Sequence, residues 1–169
     1  MIINFTVPGQ PIGNQRVSDV INKHTGLVVK GQKYLPKKSR NNQDAIAWYL
    51  KKAMGKPFQP TAKPIRLGLV AYFEIPESWP DWKKRMALDH DILPTVKPDM
   101  DNILKAVKDA LNKIAWRDDA QVTEFSRLGK YYSDTPRLEI DIEVIDKLPA
   151  NANRRDAIAN RQRKIDLFD

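Results

Sequence analysis

The sequence predicts a single α+β domain built on a mixed β-sheet of about four strands with flanking helices, and three observations carry that prediction. Its 169 residues suit one domain, long enough to bury a core without disulfides or a structural metal. The hydrophobic pattern runs strand, helix, strand, short helix, helix, strand, strand, and two successive strands at the end favour a mixed sheet over a doubly wound parallel one. No GxxxxGK[ST] or GxGxxG loop is present, so no nucleotide cofactor is expected.

Each element has its own signal. Ile3, Phe5 and Val7 alternate with Asn4 and Thr6 as a first strand, closed by Pro8-Gly9. A polar, glycine-containing segment follows, with short strand character at Leu27-Val28-Val29. Ser39 is placed to cap a helix after Pro36, and Ile46, Tyr49, Leu50 and Ala53 recur at helical spacing until Gly55 and Pro57 stop it. Ile65, Leu67, Leu69, Ala71, Phe73 and Ile75 alternate with Arg66, Gly68, Val70, Tyr72 and Glu74, the clearest strand in the chain, and Pro76 closes it. Trp79 to Met86 reads as a short amphipathic helix exposing Lys83, Lys84 and Arg85, and residues 87–99 read as a loop. Ile103, Val107, Ala110, Leu111 and Ile114 mark a second long helix. Val122 to Tyr132 is a strand of poor alternation, whereas Leu138, Ile140, Ile142 and Val144 alternate well. The expected domain is 1–146, with 147–169 a basic tail or loosely held helix.

Composition narrows the function. The chain has no cysteine, which excludes a disulfide scaffold, thiolate zinc sites and a cysteine nucleophile. Its two histidines, His24 and His90, lie too far apart in sequence to suggest a histidine-rich metal site. No apolar run approaches the length of a membrane span, and MIINFTVPGQ lacks the features of a secretion signal, so a cytoplasmic protein is expected. The net charge of +8 resides in residues 1–56, where ten Lys/Arg face only Asp19 and Asp44. Such a surface suits a polyanion. Lys37, Lys38 and Arg40 open the first long helix, where they oppose its dipole and suit phosphate contact, with a solvated turn as the plain alternative.

The segment from Lys97 to Val122 holds most of the chemical information. In an extended lead-in, Asp99 and Asp101 point to the same side, with Asp101 placed to cap a helix beginning at Asn102. Lys105, four residues on, lies about 40° round the helix and stays on that flank. If the helix stops near Leu111 with Asn112 left-handed, the seven steps to Asp119 span about 23 Å, enough to bring Asp118-Asp119 back beside the first pair. Clustered carboxylates without thiolates or paired histidines suit a hard divalent cation, Mg²⁺ with Mn²⁺ as the alternative, which can activate water and neutralise a scissile phosphate. Lys105 would stabilise the pentavalent transition state or the leaving oxygen. The competing structural reading makes Asp101 a cap, Asp118-Asp119 a turn and Lys105 the partner of Asp101 or Asp109. Trp116 reads as a packing residue, while Trp79 and Trp82, flanking a basic helix, could stack on unpaired bases or meet a second copy. Asp81, Asp89 and Asp91 read as surface residues and His90 as incidental.

The ordered set Asp99-Met-Asp101-Asn102, Lys105, Asp109-Ala-Leu111 and Trp116-Arg-Asp118-Asp119-Ala-Gln121-Val122 resembles the RusA family of Holliday junction resolvases. A looser likeness covers Tyr34-Leu-Pro36-Lys37-Lys38-Ser39 and the order of elements to about residue 146. The resemblance implies a RusA-like fold, metal-ligand carboxylates at Asp99, Asp101 and Asp119 with Asp118 a weaker candidate, and a required lysine at Lys105. It implies a Mg²⁺-dependent homodimer placing paired nicks in four-way DNA, often phage- or prophage-encoded. The basic residues Arg16, Lys37, Lys38, Arg40 and Lys97 are the expected DNA contacts of such a protein. One stretch departs from the pattern: Pro11-Ile-Gly13-Asn14-Gln15-Arg16-Val17 keeps Gly13 and Arg16 but carries Asn14 and Gln15 where relatives carry Lys and Gly. Two rival functions share these residues. One is a less selective nuclease on branched nucleic acid, and the other a non-catalytic junction-binding scaffold.

Overall fold

The computed structural model describes residues 1–15, 18–55 and 59–165. Four strands form the main sheet: β1 (Ile2–Pro8), β4 (Ile65–Glu74), β5 (Val122–Ser133) and β6 (Arg137–Val144), in the order β1-β6-β4-β5. β1 and β4 both pair antiparallel with β6, whereas β5 runs parallel to β4. The sheet is therefore mixed, and the fold is the expected α+β one. A separate two-stranded ribbon, β2 (Ser18–Ile21) with β3 (Val28–Tyr34), stands where only a short strand at Leu27–Val29 was expected. Its apolar residues Ile21 and Val28, and Leu27 in the connection between its strands, are exposed, so no buried face imposed an alternating pattern on that stretch.

A parallel pair cannot be joined by a tight turn and needs a crossover. The β4–β5 crossover carries α2 (Asp81–Leu88) and α3 (Met100–Leu111), and with them most of the acidic residues of interest. α1 (Lys37–Met54) packs against α3 and β1. Ile65, Leu67, Leu69, Ala71 and Phe73 of β4 meet Ile46 and Leu50 of α1 and Ile103, Val107 and Leu111 of α3 in one apolar core. The final helix, α4, spans Arg154–Ile165.

Several local expectations are corrected. Pro36 occupies the N-cap position of α1, no side chain caps the helix and it begins at Lys37, so Ser39 lies inside its first turn, buried, with its hydroxyl accepting the Gln15 amide at 3.0 Å. Gly55 does end α1 in the left-handed conformation, at φ 62°, while Pro57 lies outside the described residues. α2 is displaced to Asp81–Leu88. α3 begins at Met100 rather than Asn102, so Asp99 is its N-cap residue and Asp101 sits in the first turn. Asn112 is extended at φ −59° and ψ 135°, and the left-handed residue is Lys113 at φ 62°.

The clean alternation of β4 also gives way in the structure, because Gly68 and Val70 on its second face are buried too. Long ion-paired side chains lie across that face. Arg66 bridges Glu124 at 2.6 Å and Glu143 at 2.7 Å, and Arg127 bridges Asp141 at 2.5 Å and Glu139 at 3.2 Å. Arg137 pairs with Glu139 at 2.9 Å and lies 3.8 Å over the Tyr72 ring. A side chain at Gly68 would come within 2.6 Å of Asp141 Oδ2 and 2.7 Å of Ser126 Oγ. Glycine is what lets the charged layer close over β4.

Candidate active site

The N-terminal end of α3 holds the first carboxylates. Asp99 is extended at φ −70° and ψ 153°, and its side chain caps nothing. Asp101 is exposed one residue into the helix. Among the described residues, neither carboxylate accepts a hydrogen bond or joins an ion pair. Lys105 is exposed one turn further on and pairs with neither Asp101 nor Asp109. Asp101 is therefore not the helix cap, and Lys105 does not have the partners, that the competing structural reading assigned, whereas the turn it assigned to Asp118-Asp119 is present. The opposite flank of α3 supplies Ile103, Ala106, Val107, Ala110 and Leu111 to the core, which fixes the acidic flank outward.

The loop after β1 lies against this end of α3. Gly13 permits the approach, since a Cβ there would meet Pro98 Cβ at 2.7 Å and Asn102 Cβ at 3.1 Å. The Asn14 amide N–H donates to the Asn102 carbonyl at 2.9 Å, and its side chain donates to Asp109 at 2.5 Å while accepting from Gln43 at 3.3 Å. Asn42 of α1 donates to the Ile12 carbonyl at 3.1 Å. Asn14 thus ties the loop to both helices. A cavity of about 520 Å³ opens between loop and helix, bordered by Pro11, Asn14, Lys38, Lys97, Asp99 and Asn102.

Of the expected DNA contacts, Lys38 and Lys97 border this cavity. Lys37 and Arg40 are exposed on the first turn of α1, which contains no acidic residue. Arg16 lies outside the described residues. On the crossover's far side, Lys130 of β5 donates to the carbonyls of Val96 at 2.5 Å and Pro98 at 3.0 Å, anchoring the strand of chain that leads into Asp99.

The second acidic pair is mounted differently. Asp118 caps a 3-10 turn, Asp119–Gln121, its Oδ1 accepting from the Ala120 amide at 2.8 Å. Gln121 clamps that turn to the chain before β4. It donates to the carbonyls of Thr61 at 2.8 Å and Lys63 at 2.9 Å and accepts from the amides of Arg117 and Asp118, each at 2.9 Å. Trp116 is fully buried, as a packing residue should be, and its indole N–H also donates to Asp119 Oδ1 at 3.0 Å. Sequence reading gave no sign of that bond.

Trp79 stacks edge-on against Tyr132 at 5.1 Å, with Lys83 4.0 Å over its ring, whereas Trp82 is exposed. His90 stacks on Tyr131 at 4.7 Å, and Asp81, Asp89 and Asp91 are exposed. No described helix is long and apolar enough to cross a membrane.

Among the described residues, no three His, Cys, Asp or Glu side chains form a group able to hold a metal ion. The topology explains this. Asp99 lies where α3 starts, near Lys130, whose register partner is Ala71 well along β4. Asp119 lies after α3 ends, in the turn that Gln121 ties to Thr61, and just ahead of the Ile65–Val122 pair that starts both strands. The 12-residue helix between them is about 18 Å long. The donor chemistry nevertheless fits a hard divalent cation. Mg²⁺ typically takes only one or two carboxylates, completed by water and substrate phosphate, and Asp99 and Asp101 present unpartnered oxygens of that kind.

Comparison with known proteins agrees with the motif. Residues 8–143 match the family model described as endodeoxyribonuclease RusA, a span that includes the loop, α3 and the Asp118–Gln121 turn. The chain is also 32% identical over 147 residues to the uncharacterized protein YqaN of Bacillus subtilis (strain 168), covering 85% of this chain and 96% of that protein. On its fold, its motif and this match, the chain belongs to the RusA family of endodeoxyribonucleases.

Proposed function

We propose that this protein is a divalent-metal-dependent endonuclease that resolves four-way DNA junctions by paired nicks, acting as a homodimer in recombination and repair in the cytoplasm. The observation that carries the proposal is the unpartnered set Asp99, Asp101 and Lys105, set beside a cavity bordered by Lys38 and Lys97 in a chain of this family. Unpaired charge on the outward flank of a well-packed helix contributes little to folding and is available for chemistry.

Lys38 and Lys97, with Lys37 and Arg40 behind them, hold DNA phosphates by charge. Asp99 and Asp101 would hold Mg²⁺ or Mn²⁺, and the bound cation would neutralise the scissile phosphate and make its water a better nucleophile. Lys105 places an ammonium one helical turn from Asp101, where it offsets the charge that develops on the phosphorane oxygens or the leaving oxygen. Because α3 separates Asp119 from Asp99 and Asp101 within one chain, the completing carboxylate is Asp119 of a second copy. A twofold dimer then carries two such sites, which matches the approximate twofold symmetry of a four-way junction.

The test is a nicking assay on a synthetic four-way junction and a matched linear duplex, with Mg²⁺ and then with EDTA. Metal-dependent paired nicks on the junction alone support the proposal. Equal cutting of both substrates would remove the junction selectivity, and binding without any cutting would leave a scaffold.

A further inference from the structure

The Asp119 carboxylate is not free to choose its orientation. Its Oδ1 accepts the Trp116 indole N–H at 3.0 Å, and Trp116 itself is wholly enclosed. The indole cannot turn aside, because the backbone around it is fixed at both ends. Thr61 bridges to Trp116 through the Thr61 amide on the Ala115 carbonyl and the Arg117 amide on the Thr61 carbonyl, each at 3.2 Å, and Gln121 locks the far side of the turn to Thr61 and Lys63. Asp118, by contrast, is spent on the Ala120 amide.

We propose that Trp116 is a positioning residue for the reaction: its indole N–H holds one oxygen of Asp119 and leaves the other oxygen for the ligand. This rests on the reading of Asp119 as part of the nuclease site. A buried tryptophan needs some acceptor for its N–H, and a backbone carbonyl would serve packing equally well. Spending that bond on a half-buried carboxylate fixes a group that chemistry requires, in the way outer partners orient metal ligands.

The full-length Trp116→Phe protein keeps an aromatic ring in the core but loses the donor together with part of the indole's volume, which is why the melting transition is followed alongside the metal. Three quantities are compared with wild type: the melting transition, Mn²⁺ uptake followed by the loss of the free-ion EPR signal, and the Mg²⁺ concentration giving half-maximal junction nicking. A cooperative melt with both metal titrations shifted by about 10- to 100-fold is expected. Metal titrations within twofold of wild type would overturn the inference and return Trp116 to packing alone.

If Trp116→Phe does not fold, the indole ¹⁵N–¹H signal of Trp116 in the wild-type protein serves instead, assigned by elimination with Trp48→Phe, Trp79→Phe and Trp82→Phe. Mg²⁺ is expected to move that signal, and a signal unmoved at saturating Mg²⁺ would overturn the inference. A wild-type protein that takes up no Mn²⁺ and nicks nothing sinks the proposed function and this inference together. Normal wild-type uptake and nicking with an indifferent Trp116→Phe sinks the inference alone.

Discussion

Acidic residues occupy two regions of this fold, and the fold treats them oppositely. On the second face of the sheet, Glu124, Glu139, Asp141 and Glu143 each meet an arginine within 3.2 Å. At the start of α3, Asp99 and Asp101 meet none among the described residues, although Lys105 stands one turn away. The paired carboxylates answer a structural need, since burying half of a charged layer over β4 requires partners. The unpaired ones answer none, and unneeded charge beside a basic cavity marks the place where a ligand's charge belongs. Asp119 falls between the two cases, held by a neutral indole that orients it without neutralising it.

The largest effect should come from the unpaired region. Asp101→Asn is expected to lower junction nicking on the order of 10²–10³-fold, the scale of losing one preorganised electrostatic partner. Junction binding in EDTA should persist or tighten, and the melting temperature should hold. A gel nicking assay with a parallel binding titration checks this, and unaltered nicking would put Asp101 back among surface residues.

The paired region should behave the other way. Gly68→Val pushes a side chain into Asp141 Oδ2 and Ser126 Oγ, and is expected to destabilise by about 1–3 kcal/mol in denaturant unfolding. Nicking per folded molecule should be unchanged. Arg127→Met should cost about 1 kcal/mol or less, because the guanidinium is partly exposed and screened, again with nicking intact. If either substitution abolished nicking in a folded protein, the division between the two regions would fail.

The smallest effect is one of pH. Hydrogen bonding to Arg66 holds the Glu124 carboxyl below its usual value of 4.5. A depressed folded-state pKa contributes stability that is fully present above the unfolded value and is lost as pH falls through the folded one. The melting temperature of Glu124→Gln should therefore lie furthest below wild type near pH 6, and the gap should narrow from about pH 4.5 downward. A gap constant from pH 6 to pH 3 would mean that Arg66 gains nothing from that carboxylate.

How much of this was legible beforehand follows from where each pattern originates. β6 and α3 were readable because one face of each packs in the apolar core and burial imprints a period on sequence; β4 was readable because its core face is apolar throughout while its second face carries Arg66, Tyr72 and Glu74 between the buried Gly68 and Val70. β5 alternated poorly because it is an edge strand with register shifts opposite Ile65–Gly68, and Phe125 and Leu128 stay exposed. The β2–β3 ribbon has no buried face to imprint. At the site, the residue types of Asp99, Asp101, Lys105 and Asp119 were visible in the motif, but their placement was not. Chain reach allowed Asp119 to return beside Asp99, whereas the parallel β4–β5 pairing requires the crossover helix to run the length of the sheet and deliver Asp119 to its other end. The Trp116 bond was invisible for a similar reason, since an indole's acceptor depends on how a whole turn is clamped.

That separation makes the shared site the most exposed part of the account, and mixing two dead variants tests it most directly. Asp101→Asn and Asp119→Asn proteins are each assayed on the four-way junction with Mg²⁺, then co-refolded and assayed again. In a dimer whose sites draw Asp99 and Asp101 from one copy and Asp119 from the other, each mixed dimer regains one intact site, and single-strand nicking returns. Two inactive proteins whose mixture stays inactive, with mixed dimers shown to form, would contradict the account and place all three carboxylates of a working site in one chain.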